Sequence, residues 1–297
     1  MLLETVVEFS NKEYKNSDIH HICKNCNHPN ECSGSCEVCL DEVHFPNNYI
    51  NGKLEYDCIN MLNYYVCKYS HKYCSEIEYA LEQSEILKNL KEFNVMSIGC
   101  GASPDLMALE FYRQKHKIDV PIIYRGFDKN IMWKDIHKEI SNYGKNNNFK
   151  VGYEYVDVVE YFNKYYIKGI NVIILQYVIS YFYNTDQILT IDKFFDDLID
   201  VIEKKNEREK LLIIINDVNS CYRGRDYFLN LYKKIKKHNF HGYLMKKYFN
   251  YNIKNSYQRY GEPYESCDNL HIIKDEIRGT YNSAINCSSA QLIIEIN

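Results

Sequence analysis

The side chains with the most chemistry in this chain are thiols. Five of its 12 cysteines stand between positions 23 and 39, in the stretch HHICKNCNHPNECSGSCEVCLDEVHF. Two C-x-x-C turns, Cys23 with Cys26 and Cys36 with Cys39, can each clamp one side of a tetrahedral zinc through thiolates, with Cys32 and His44 as substitutes. A segment this polar and this poor in large apolar residues needs a metal to fold. Cys32, Cys36 and Cys39 also carry a C-x-x-x-C-x-x-C spacing that suits an iron–sulfur cluster. Zinc in a structural role is the favoured expectation, the cluster its alternative. Cys58, Cys67 and Cys74 read as ordinary buried thiols on or beside a helix.

A second constellation begins at Val95. There Val-Met-Ser-Ile-Gly99-Cys100-Gly101-Ala-Ser-Pro-Asp105 reads as a strand running through a Gly-x-Gly turn into a helix that starts near Pro104. Glycines let the backbone turn sharply and approach a ligand, and a helix N-terminus offers unpaired N–H groups. Asp128 ends the next apolar run, at a separation from Gly99 close to that at which a carboxylate holds ribose hydroxyls. Asp157 ends the third run in the same way. Ligands of such sheets bind over the carboxyl ends of the strands, where the strand order reverses.

In this order the motifs resemble the class I S-adenosylmethionine-dependent methyltransferases, a Rossmann-like superfamily. SIGCGASPDL looks like their first motif, YRGFD their second, YVDVVEYF their third and NVIILQYVISYF their fourth, while SSAQLIIEIN matches their closing antiparallel strand. The resemblance implies a cofactor site of Gly99, Cys100, Gly101, Asp128, Asp157, Val158 and Gln176, with Asp128 on the ribose and Asp157 and Val158 near the adenine. It spans about residues 59–297. Two positions depart from the pattern. The usual acid two residues before Gly99 is Ser97, which leaves Asp105 to take the cofactor's amino group, and the third glycine is Ser103. The three-cysteine spacing is also that of radical S-adenosylmethionine enzymes, but those continue into a barrel. A dehydrogenase fits less well, because Pro104 breaks Gly-x-Gly-x-x-Gly. Tyr177 and Asp217, after the fourth and fifth strands, are the candidate catalytic groups. A non-catalytic nucleotide-binding or regulatory protein that uses the zinc module for partner contact is the other reading.

The elements that must position these groups follow from periodicity. From position 94 short apolar runs alternate with helical patterns, so the expected fold is α/β, a doubly wound, mostly parallel, seven-stranded sheet with a closing antiparallel hairpin. Strands are expected at 95–99, 122–127, 152–156, 172–177 and 212–217. Between positions 59 and 93 apolar residues recur at three- and four-residue steps, the mark of an amphipathic helix, with Asp57 as N-cap. Three units result: a Cys-rich module over 1–57, a helical connector over 58–93 and a methyltransferase-like domain over 94–297. Trp133 is expected in the core or near the adenosine.

With 297 residues, 45% hydrophobic and 26% charged, the chain can bury a full core. Its net charge of −4 offers no global basic field for nucleic acid or membrane. Residues 203–254 depart from this with 13 Lys and Arg against 5 acids, the one stretch suited to gripping RNA as methyl acceptor. A small molecule is the other acceptor considered. No apolar run approaches the ~20 residues of a spanning helix, and the N-terminus has no basic leader. A cytoplasmic, membrane-free location with reduced thiols is expected.

Overall fold

The structure is a computed structural model, and it describes residues 1–17, 35–48, 55–159, 162, 169–203, 210–220, 224–237, 242–251, 253 and 258–296. The sheet is built from short Ile- and Val-rich runs. β1 (Phe93–Ile98), β4 (Val172–Gln176) and β5 (Leu211–Val218) are buried along almost their whole length, as central parallel strands must be. β2 (Ile122–Phe127) flanks β1, and β3 (Phe149–Glu154), with mostly open positions, forms the edge. β6 (Gly242–Tyr248), the two-residue β7 (Glu262–Pro263) and β8 (Ser289–Ile296) complete the order β3-β2-β1-β4-β5-β8-β6-β7. β8 runs antiparallel to both β5 and β6, with Ile214 opposite Ile293 and Met245 also opposite Ile293. The doubly wound sheet is therefore present, with eight strands in place of the expected seven. Its order reverses between β1 and β4, which pair in parallel.

Alternate residues of the strands enter two separate cores. Val95, Tyr124, Ile174 and Ile214 face one layer, made of α1 (Leu2–Asn16), α2 (Cys36–His44), α3 (Ile59–Leu81), α4 (Pro104–Lys115) and α5 (Lys134–Lys145). Ile98, Phe127, Leu175 and Ile215 face the other, made of α6 (Ile179–Asn184), α7 (Ile188–Glu203) and α8 (Arg225–Lys237). Among the described residues a last helix, α9 (Asp275–Tyr281), packs back on α3, where Tyr281 meets Tyr14 and Tyr64 edge to face.

Leu3, Val6, Leu40 and Leu62 share one apolar cluster with Val95 and Ile122 across the boundaries expected at 57 and 93. Other expectations are corrected here. β3 begins at Phe149, three residues early, because Phe149 supplies the buried side chain that starts it. The helix from Ile59 stops at Leu81 and its N-cap is Cys58, without a side-chain cap. The sequence between 158 and 166, which reads as a helix, lies largely outside the described residues. Among the described residues no helix is long and apolar enough to cross a membrane.

α3 is fixed to the sheet by one carboxylate. Glu76 is fully buried and accepts hydrogen bonds from the Tyr177 hydroxyl at 2.8 Å, the Asn216 amide at 3.1 Å and the Ser288 N–H at 2.9 Å. Lys72 stands 3.7 Å away as its counter-charge. Removing one member of such a set strands the others without water. Glu76→Ala is expected to lower stability by about 3–5 kcal/mol in urea denaturation; an unchanged midpoint would show the clamp to be idle.

Candidate functional site

The carboxyl ends of β1 to β5 open into a cavity of about 660 Å³, lined by Ile98, Phe127, Val156, Gln176 and Val218 among others. Its floor is the first turn. Gly99 and Gly101 have φ of +63° and +47°, the left-handed region that costs other residues about 1–2 kcal/mol. A Cβ on Gly99 would stand 2.7 Å from Cγ2 of Val178. Ser103, at the third glycine position, keeps the same handedness at φ +57°. Its N–H donates to the Cys100 carbonyl at 2.7 Å, and its hydroxyl meets that of Tyr153 at 3.0 Å.

Asp128 ties this turn to the second strand. One oxygen accepts from the Gly101 N–H at 2.9 Å and the other from the Asn130 N–H at 2.8 Å. Burial raises its pKa to about 6, against the lowering effect of those two N–H groups. A carboxylate has about four lone-pair sites, so acceptor capacity remains at the cavity wall. Asp157 and Val158 line the same wall. Gln176 also faces the cavity; its amide N–H donates to the Tyr73 carbonyl at 2.9 Å, while its buried Oε1 has no partner. Tyr177 sits at φ +56°, a strain that tends to mark functional positions. Trp133 lines the cavity too, its short 3₁₀ turn started by the Asn130 side chain, which accepts from the Met132 N–H.

Three expected site residues are not among those lining the cavity. Cys100 turns inward under the first turn, 4.0 Å from His137, and burial pushes its thiol pKa well up. Asp105 is buried, and its carboxyl accepts from the Tyr124 hydroxyl at 2.9 Å and the Leu106 N–H at 3.0 Å and faces Ser97. Asp217 collects three N–H groups, from Ile179 at 2.8 Å, Ser180 at 3.1 Å and Val218 at 2.7 Å. It anchors the start of α6. Burial raises the pKa of both aspartates to about 6.

Of the expected metal ligands, Cys23 and Cys26 lie outside the described residues. Cys36 and Cys39 occupy the first turn of α2, which Ser35 caps by accepting from the Val38 N–H at 3.3 Å. Among the described residues no group of three or more metal-binding side chains is gathered.

The roof of the cavity went unread in the sequence. It consists of Val43, His44 and Phe45, residues 55–57, and the α3 face of Tyr65, Tyr69, Lys72 and Tyr73. The stretch expected to be a connector is thus a wall of the site. Its signal was the four-residue step of Tyr65, Tyr69 and Tyr73, obscured among the chain's 29 tyrosines.

No family model matches the chain, and no curated protein matches it. Solved structures similar to it include a candidate class I S-adenosylmethionine-dependent methyltransferase from Listeria monocytogenes, at 11% identity and TM-score 0.49 over 99% of this chain and 88% of that one. An rRNA methylase from Streptococcus thermophilus matches at 12% identity and TM-score 0.36, over 76% and 93%. PigF, solved with S-adenosylhomocysteine, matches at 9% and 0.40, over 98% and 69%.

Asp105 provides a check on these placements. Its folded pKa of about 6 lies above its ordinary 3.8, so between those values the native state keeps a proton that the unfolded chain has released. Its contribution therefore falls as pH rises through that window. Asp105→Asn should remove about 1–3 kcal/mol of that fall. Urea midpoints of the two proteins at pH 4, 5, 6 and 7 would test this; parallel curves would contradict it.

Proposed function

We propose that the chain is a methyltransferase that takes its methyl group from S-adenosylmethionine. The observation that carries this reading is Asp128, fastened to the Gly101 N–H at the mouth of a cavity over the strand-order reversal. In its ionised form it accepts hydroxyl donors such as those of a ribose. Asp157 and Val158 on the same wall suit the adenine, and the unpartnered Oε1 of Gln176 suits the α-ammonium that Asp105 does not face.

The first helix argues against a dinucleotide. In dehydrogenases the pyrophosphate rests on that helix's N-terminal N–H groups. Here α4 starts with Pro104, which has none, and with Asp105, whose carboxyl takes the Leu106 N–H. The antiparallel β8 between β5 and β6 also departs from the all-parallel dehydrogenase order.

When bound, the cofactor supplies a methyl group: the acceptor's lone pair bonds the carbon as the carbon–sulfur bond breaks and its electron pair stays on sulfur. Tyr177 then offers the acceptor's proton a way out. Its oxygen can take that proton while its own passes to Oε2 of Glu76, 2.8 Å away. Asp217 is the weaker catalytic candidate, since three N–H groups occupy it. The zinc site of Cys23, Cys26, Cys36 and Cys39 remains a proposal from spacing alone, and metal analysis finding one zinc per chain would support it. RNA as acceptor rests on residues 203–254, whose lysines on the last turn of α8 lie near Gly242, the strand end opposite the cavity.

Calorimetry with S-adenosylhomocysteine tests the reading. Micromolar binding is expected, lost in Asp128→Ala and in Gly101→Val while far-ultraviolet dichroism is retained. Because protonation removes the charge and turns one acceptor oxygen into a donor, affinity should weaken by up to about tenfold per pH unit below about 6. No heat with the wild-type chain, or normal affinity in both variants, would refute the assignment.

A further inference from the structure

By its lining the cavity has two halves, the strand ends with Asp128 and Asp157 and the roof, whose side chains are mostly aromatic. Tyr69 and Tyr73 lie parallel, with ring centroids 5.3 Å apart and planes 8° apart. Tyr65 meets Trp133 edge-on at 5.9 Å, and His44 lies 5.4 Å from Tyr69. These walls are largely phenol, indole and imidazole rings.

Both lysines of the lining are already paired. Lys129 pairs with Glu55 at 3.1 Å and Lys72 stands 3.7 Å from Glu76. Lys72 also lies over the Tyr73 and Tyr177 rings, 5.5 and 5.6 Å from their centroids. A cationic guest would meet that ammonium on the faces it needs. A phosphate chain finds no unpaired cation in these two lysines, and the lysine-rich end of α8 lies at the far strand ends. What such a chamber favours is a flat, neutral ring, which gains from stacking beyond its buried area.

We propose that this half of the cavity receives the methyl acceptor, and that the acceptor is a small neutral molecule built on a planar aromatic ring, with the hydroxyl or ring N–H to be methylated turned toward Tyr177. The inference rests on the methyl donor filling the other half.

Calorimetry on the full chain with saturating S-adenosylhomocysteine tests it, using 2-naphthol and its ring-saturated counterpart decahydro-2-naphthol. The aromatic probe should bind at least about tenfold more tightly. Tyr69→Leu and Tyr65→Leu should each reduce that preference several-fold while leaving S-adenosylhomocysteine affinity unchanged, which also shows that the variants fold. Equal affinity for the two ring states would overturn the proposal, as would tighter binding of trimethylphenylammonium or of a uridine hexanucleotide. Absence of heat with S-adenosylhomocysteine itself would instead overturn the donor assignment, and this proposal with it.

Discussion

A carboxylate taken wholly out of water must be met by donors from every side, and Glu76 is met from three separate parts of the chain. Its partners come from the end of β4, from β5 and from the residues that lead into β8. Asn216 carries the set further, accepting from Ser289 at 2.6 Å and Gln291 at 2.7 Å. The registers of the central strands and the placement of α3 are therefore one constraint. Each of these groups is tolerable in the interior only while the others are present. The same arrangement brings Tyr177 and the α3 tyrosines against one cavity, so the roof and floor of the site depend on a single buried charge.

Strain and buried acidity gather on the same rim. Gly99, Gly101, Ser103 and Tyr177 all adopt left-handed backbone within the loops after β1 and β4. Three aspartates beside those loops are each held by backbone N–H groups, and burial raises all three pKa values to about 6. Their work differs by place. Asp105 and Asp217 are buried and fix helix starts, whereas Asp128 fixes the turn from the cavity side. Chemically identical side chains thus divide between the interior and the cavity wall.

Much of this was legible beforehand. Apolar runs of strand length, separated by helical periods, placed β1, β2, β4, β5 and the antiparallel closing strand, because burial on both faces leaves a near-continuous hydrophobic signature. Gly99, Gly101 and Asp128 were legible because a left-handed turn and a strand-end carboxylate each restrict residue type locally. The assignment of α3 as a connector came from reading periodicity alone: a helix buried nearly all round shows the same steps whether it links two units or roofs a cavity.

The linear order of residues determined the alternation of strands and helices, the glycine turn and the acid that faces it, since these are set by dihedral freedom and hydrophobic period over a few neighbours. Only the folded chain decided that Tyr65, Tyr69 and Tyr73 line the cavity with Trp133, that Cys100, Asp105 and Asp217 do not, and that Glu76 joins α3 to the sheet. Those facts depend on groups as far apart in the chain as the Glu76 carboxylate and the Ser288 N–H meeting in a dry interior, where the cost of an unpaired polar group selects the partners.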